Sequence, residues 1–332
     1  MKTYEAASHL ATFGFFSTLL VNSFLIFLTL YHIKHIYGTY KWMIVIFASI
    51  GIGFSLLEVI VKPCIHNYNK GYIYFSRNMF LNTGLLGILT ACYSGVFCSL
   101  LAFVTIQFVY RCWVLIGSKS LESFSGIRVV FWVIFVITPN ALFASVIILL
   151  LPNETYSDSY MQDEMLRVYG LNTTDVARFI IVVYDDNENI RWRNVSCVIT
   201  LSSILTVNLA IIGYSAFRMR REMAVSLKQM SERSRNMETQ FFKALLAQST
   251  FPTLLLVLPI GPVLLLPFFN LKISLQTGLL FSLISLYPPM DSIAMMMIIT
   301  EYRACIHGVL DQFTRSCRRV PIAPQEVTMS IS

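Results

Sequence analysis

Charge is what this 332-residue chain has least of: 13% of it is charged, 56% is hydrophobic, and mean hydropathy is +0.65. That balance excludes an ordinary soluble domain. Histidine is scarce too. All five copies, at 9, 32, 35, 66 and 307, fall outside the long apolar runs or at their edges. No intramembrane metal site, and no base for a serine nucleophile, can be assembled from them. The seven cysteines lack metal-ligand spacing, and no glycine-rich loop has the phosphate-cradling form. No internal repeat matches the two-halved plan of many secondary transporters. Basic residues are not interleaved with aromatics in one exposed patch, which argues against nucleic acid. Neither an enzyme nor a metal or other cofactor is expected.

What the chain does have is seven apolar stretches, at about 10–31, 42–61, 84–110, 129–151, 195–217, 244–269 and 277–300. Each reaches the roughly 20 residues that cross a hydrocarbon core as a helix, and lipid leaves the backbone no other economical way to satisfy its own hydrogen bonds. Only Glu58 and Asp291 carry charge inside them. The expectation is an all-α membrane protein, a single seven-helix bundle over residues 1–332. A short juxtamembrane helix at about 301–313 and a disordered tail at 314–332 are expected to follow it. An odd number of spans puts the termini on opposite sides. With the N-terminus outside, sixteen of the twenty-five Lys and Arg lie on the cytoplasmic side and nine outside. The positive-inside rule therefore gives N-out, C-in, and a multi-pass protein of the plasma membrane. The first apolar run is too long for a cleaved signal and reads as an uncleaved anchor.

The longest outer connection covers 152–194. Residues 179–184 read as a strand, 185–189 as a turn and 190–192 as a return, so a small β-hairpin over the outer mouth and a plain structured loop fit equally. Cys64 and Cys197 are the two cysteines near the outer face, either bridged or simply unpaired. Of the sequons at Asn153, Asn172 and Asn194, the first and last abut apolar spans, which leaves Asn172 best placed for glycosylation. Cys305 and Cys317, at the inner face, are lipidation candidates or plain juxtamembrane thiols.

Asp291 lies midway along the seventh stretch, within Tyr287-Pro288-Pro289-Met290-Asp291-Ser292. Proline removes a backbone donor and unpairs a carbonyl one turn earlier. A carboxylate there is either a static polar knot or part of a two-state switch, and the coincidence of a helix break with an acid favours the switch. Glu58, one turn before Lys62, reads as an i,i+4 interfacial pair or as part of a ligand vestibule. Four prolines, at 252, 259, 262 and 267, predict a bent sixth span. Tyr110-Arg111 ends the third span, where a lone arginine ordinarily anchors at the interface.

Taken in order, five runs resemble one family. They are Gly38-Thr39-Tyr40-Lys41, then Glu58 to Lys62-Pro63 with His66, then Phe108-Val109-Tyr110-Arg111. Gln240-Phe241-Phe242-Lys243-Ala244-Leu245 and Tyr287-Pro288-Pro289-Met290-Asp291 complete the set. The chain resembles the nematode seven-transmembrane chemoreceptors of the Str type, the family of the diacetyl odour receptor, within the rhodopsin-like G-protein-coupled receptors. Two positions depart from the pattern: Ser292 stands where a proline usually follows the Asp, and Cys112 where an aromatic usually follows Tyr-Arg.

The resemblance implies an olfactory receptor in the cilia of sensory neurons. It would bind a small, mostly uncharged odorant or pheromone between its helices and activate a heterotrimeric G protein, with trafficking factors as further partners. It also implies that Tyr110 and Arg111 face the G protein and that Tyr287, Pro288, Pro289 and Asp291 act as a switch. Depth and polarity nominate Glu58, Tyr93, Phe97, Thr200, Ser203 and Ser282 as pocket residues. An odorant-gated channel of seven-helix type is the alternative reading.

Overall fold

The apolar stretches fold into helices whose ends carry local chemical markers. The computed structural model describes residues 2–33, 38–226, 231–271, 273–278 and 282–308. Helix α1 (Lys2–Phe27) continues through a π turn (Leu28–His32), and α2 is Thr39–Val61. Strands β1 (Pro63–Tyr68) and β2 (Gly71–Ser76) follow, then α3 (Thr83–Ile116), whose first N–H groups are capped by the Asn82 side chain. Next come α4 (Val129–Leu150), α5 (Thr155–Tyr169), β3 (Arg178–Val182) and α6 (Trp192–Ser226). The chain ends in α7 (Glu232–Pro252), α8 (Leu258–Leu265), β4 (Ser274–Gln276), α9 (Tyr287–Ile298) and α10 (Thr300–Gly308).

Helices α1, α2, α3, α4 and α6 are each long and apolar enough to cross a membrane. The pair Leu283–Ile298 and Thr300–Gly308, bent by 89°, adds a sixth if taken as one span. The remaining apolar stretch stays helical but changes its hydrogen-bond pattern along its length. Helix α7 ends at Pro252, a π turn spans Thr253–Val257, and a 3-10 turn at Leu266–Phe269 closes α8. In the last stretch, Pro288 and Pro289 sit in the first turn of α9, where a missing N–H costs least, directly after a 3-10 turn at Leu283–Leu286. The end of α10, residues 309–313, and the tail at 314–332 with Cys317 lie outside the described residues.

At the bundle's centre α3 packs on α2, α4 and α6; α1 packs on α2 and α9, and α7 on α9. Small residues let backbones close up where polar groups must meet. A Cβ on Gly95 of α3 would stand 2.7 Å from the Asn140 carbonyl of α4, and one on Gly14 of α1 would stand 2.8 Å from the Ser285 carbonyl.

One end of the bundle is closed by a four-stranded antiparallel sheet in the order β3-β2-β1-β4. Three separate connections supply it. β1 and β2 form a hairpin turned at Asn69, a residue that tolerates its positive φ of 49°. The strand expected near 179–184 forms, but β2 is its ladder partner; toward 190–192 there is a single bridge, Tyr184 with Ile190. Asp185 instead uses its carboxylate on the turn, accepting the N–H groups of Asn187 and Asn189.

Strand periodicity then sorts the side chains. Ile65, Tyr72, Tyr74, Phe179 and Ile181 join the bundle core. Cys64, Ile73, Phe75, Ile180 and Val182 join a second core under α5, with Met161 and Met165. Cys64 and Cys197 fall into different cores and are both free thiols.

Gly95→Leu should therefore push α4 off α3. The expected result is a lower thermal unfolding midpoint in detergent, from a cost of about 1–3 kcal/mol, while Gly213→Leu, in open space on α6, leaves the midpoint in place.

Candidate functional site

Directly beneath the sheet lies a cavity of about 240 Å³. The sheet lines it with Ile65, Tyr72, Tyr74, Phe179 and Ile181, while Phe54 comes from α2 and Tyr93, Ser94 and Phe97 from α3. Phe143 and Ile147 of α4, several residues of α6, and Gly261 and Leu264 of α8 complete it. No charged side chain faces it among the described residues. Its polar equipment is small. Ser94 donates to the Tyr74 hydroxyl, which itself donates to the Thr90 carbonyl. The Tyr93 hydroxyl is buried and has no hydrogen-bond partner among the described residues. Such a lining suits a small, uncharged, largely apolar molecule with one acceptor atom.

Among the residues nominated from sequence, Tyr93 and Phe97 line this cavity. Thr200 and Ser203 do not. They stand exposed on a groove between α4 and α6, with their hydroxyls returned to the Ser196 and Ile199 carbonyls of their own helix. Ser202 and Thr206, which were not nominated, take their place. Glu58 and Ser282 line a separate pocket of about 40 Å³. The expected Glu58–Lys62 pair is replaced: Ser285, on the turn before α9, donates to the Glu58 carboxylate, and Glu58 is only 3% exposed. A buried hydroxyl on a neighbouring helix lies closer than a lysine that leaves α2 through a left-handed cap.

Above the cavity a polar cluster ties the connections together. Glu164 of α5 accepts from Ser274 of β4 at 2.6 Å, from His66 of β1 at 3.1 Å and from Arg167 through two nitrogens. A carboxylate only accepts, so His66 carries its hydrogen on Nε2, and its Nδ1 accepts from the Tyr169 hydroxyl at 3.3 Å. Burial holds His66 below the ordinary imidazole pKa, against the pull of Glu164. For Glu164, burial pushes up but is outweighed by the hydrogen bonds from Arg167, Ser274 and His66, and the carboxyl is held low. Arg178 clamps Asp158 and fastens β3 to α5. Asn153 and Asn172 are exposed, whereas Asn194 is buried and donates to the Val182 carbonyl.

At the opposite end Arg111 is buried rather than spread toward the interface. Its guanidinium carbon lies 3.6 Å from the ring centre of Tyr40 (α2) and 3.7 Å from that of Phe241 (α7), and Nη1 reaches Glu238 at 3.5 Å. Tyr110 stacks on Tyr40 and meets Phe124 edge-on. Nearer mid-bundle, Asp291 accepts from Gln248 of α7 at 3.1 Å. Ser292, the departure from the family pattern, donates to Asn22 of α1 at 2.8 Å, and Asn22 donates to the Ala48 carbonyl of α2. Tyr287, Pro288 and Pro289 are buried beside this chain of contacts. Cys305, on α10, is half-buried.

A family model described as "Serpentine type 7TM GPCR chemoreceptor Str" matches residues 7–307. The chain belongs to the Str family of seven-transmembrane chemoreceptors. It is 39% identical to the G-protein coupled receptor str-33 of Caenorhabditis elegans, over 96% of this chain and 94% of that one. Serpentine receptor class r-10 of the same nematode is 26% identical, over 82% of each chain. Its namesake in Caenorhabditis briggsae is 27% identical, over 88% of this chain and 87% of that one. A chemoreceptor of this kind is a multi-pass membrane protein, and the family is not one of enzymes.

The cap cluster is expected to lose stability in acid. Folded His66 resists the proton that the unfolded chain accepts below about pH 6.5. Stability from this contact is present above that pH and lost as pH falls from there toward the lower folded pKa. Glu164 adds loss in the same direction at lower pH, below the ordinary carboxyl value. Amide exchange in Pro63–Tyr68 should accelerate between pH 7.5 and 5.5 beyond its intrinsic pH trend, and His66→Gln should flatten the excess.

Proposed function

We propose that this receptor is a G-protein-coupled olfactory receptor that binds a small, mostly uncharged odorant or pheromone in the cavity beneath the sheet. The sheet end faces outside and the C-terminus the cytoplasm, the arrangement favoured by the basic residues of the opposite connections. The single observation that carries the reading is the uncharged, aromatic-lined cavity between the helices. The ciliary membrane of a sensory neuron is its place of work, and Asn172 its glycosylation site.

Signalling is a population shift. The ligand must prefer the arrangement in which the cytoplasmic ends of α3 and α7 separate. In the present arrangement Arg111 is withheld from any partner by Tyr40, Phe241 and Glu238. Cation–π contacts of a desolvated guanidinium are worth about 2 kcal/mol or more, within reach of the differential binding energy a ligand supplies. The Gln248–Asp291 and Asn22–Ser292 contacts couple α7, α9 and α1, so motion of α7 passes through the seventh-stretch motif. Releasing Arg111 exposes a cation to the G-protein α-subunit.

A calcium reporter in cells expressing the receptor, screened with volatile and water-soluble cues, tests the whole reading. Phe97→Trp, which fills the cavity, should raise the half-maximal concentration by about tenfold or more. Arg111→Ala should abolish the ligand-dependent signal at equal surface expression; equal signalling from variant and wild type would remove Arg111 from the coupling role. Phe241→Ala should raise ligand-independent signalling by roughly fivefold or more, as expected for loss of a contact specific to the resting state.

A further inference from the structure

We propose that ligands reach the cavity sideways from the bilayer, through a port between α6 and α8 whose threshold is formed by Ser202, Thr206 and Gly261. The receptor would thus select uncharged molecules that partition into membranes. This inference rests on the reading of the cavity as the ligand site.

The route from the sheet side is closed twice. Tyr72, Tyr74 and Ile181 form a buried layer over the cavity, and Ile73, Phe75 and Met161 form a second, wholly buried layer behind them. A ligand arriving that way would have to force apart both close-packed apolar layers. The side between α6 and α8 is different. Helix α6 packs on α3 and α4, and α8 on its own flanking turns; among the described residues α6 and α8 make no broad contact with each other. Yet both line the cavity.

Ser202 and Thr206 are at once exposed and cavity-lining, so the cavity reaches the surface at those two residues. Across the gap, Gly261 supplies no side chain, and among the described residues nothing lies within 4 Å of the place a Cβ would take. The surface around the gap is apolar: Ile199, Leu254 and Leu258 are each more than half exposed. In this membrane receptor such a face is covered by hydrocarbon. At the threshold the Thr206 hydroxyl is already satisfied, donating to the Ser202 carbonyl. An ion crossing it would find no countercharge within the cavity. A carbonyl or ether oxygen would find the unpartnered Tyr93 hydroxyl.

Stopped-flow uptake of 1-aminoanthracene, a small uncharged fluorophore, by the full chain in phosphatidylcholine nanodiscs tests the port. The signal is read as the difference from Leu201→Trp, which fills the cavity from its α6 wall. Gly261→Phe should slow association and dissociation alike, each about tenfold, since a narrowed port hinders entry and exit together. Slower association with unchanged dissociation would mean only a filled cavity and would overturn the port. Thr206→Trp obstructs the gap from the α6 side and should slow association similarly, which keeps the test valid if one variant fails to fold. Glu164→Ala, which loosens the cap, should leave the rate unchanged. Wild-type rates in both port variants would overturn the port, and faster uptake in Glu164→Ala would assign entry to the cap with the cavity reading intact. Uptake by the wild type no greater than by Leu201→Trp would overturn port and cavity reading together.

Discussion

In hydrocarbon, a backbone carbonyl that loses its helical partner must find another, and much of this structure follows from that constraint. Pro267 has no N–H to offer the carbonyl four residues earlier, that of Val263. The Asn67 side chain, from β1, donates to that carbonyl at 2.6 Å. A second tie, from the Tyr184 hydroxyl to the Phe268 carbonyl at 3.2 Å, joins the same helix end to the segment after β3. The helix therefore ends where the cap holds its free carbonyl groups.

The same logic governs the buried cation at the other end. Arg111 has left water and must be compensated, and the aromatic faces of Tyr40 and Phe241 do so together with Glu238. These ring contacts come from motif runs that lie on three different helices: Tyr40, Arg111 and Phe241. Each run is ordinary by itself. Their spatial meeting gives a physical reason for their occurring in one chain, because a guanidinium buried without either ring would be costly to this arrangement.

The helices were legible because length and apolarity are local properties. The rotation of α6 was not legible. Lipid and protein core are equally apolar, so no change of polarity around the helix separates Ser202 and Thr206, which face the cavity, from Thr200 and Ser203, which do not. Glu58 misled for a related reason: an i,i+4 lysine is visible in sequence, whereas Ser285 is brought near only by helix packing. The cap escaped because its strands come from three connections far apart in the chain. Its hairpin had a signal, the aromatic and β-branched run from Ile65 to Phe75 broken by Asn69-Lys70-Gly71. The pairing of β2 with β3 had none.

That cap also works as a check on assembly. Its four strands belong to connections after α2, after α4 and before α9, so the sheet cannot be completed until the last of them has been delivered to the same side of the membrane as the others. A chain that left α3, α4 or α6 out of the membrane would strand at least one of these segments on the wrong side. It would leave bare the apolar faces of Ile73 and Phe75 or of Tyr72 and Tyr74. Correct threading is thereby converted into buried surface.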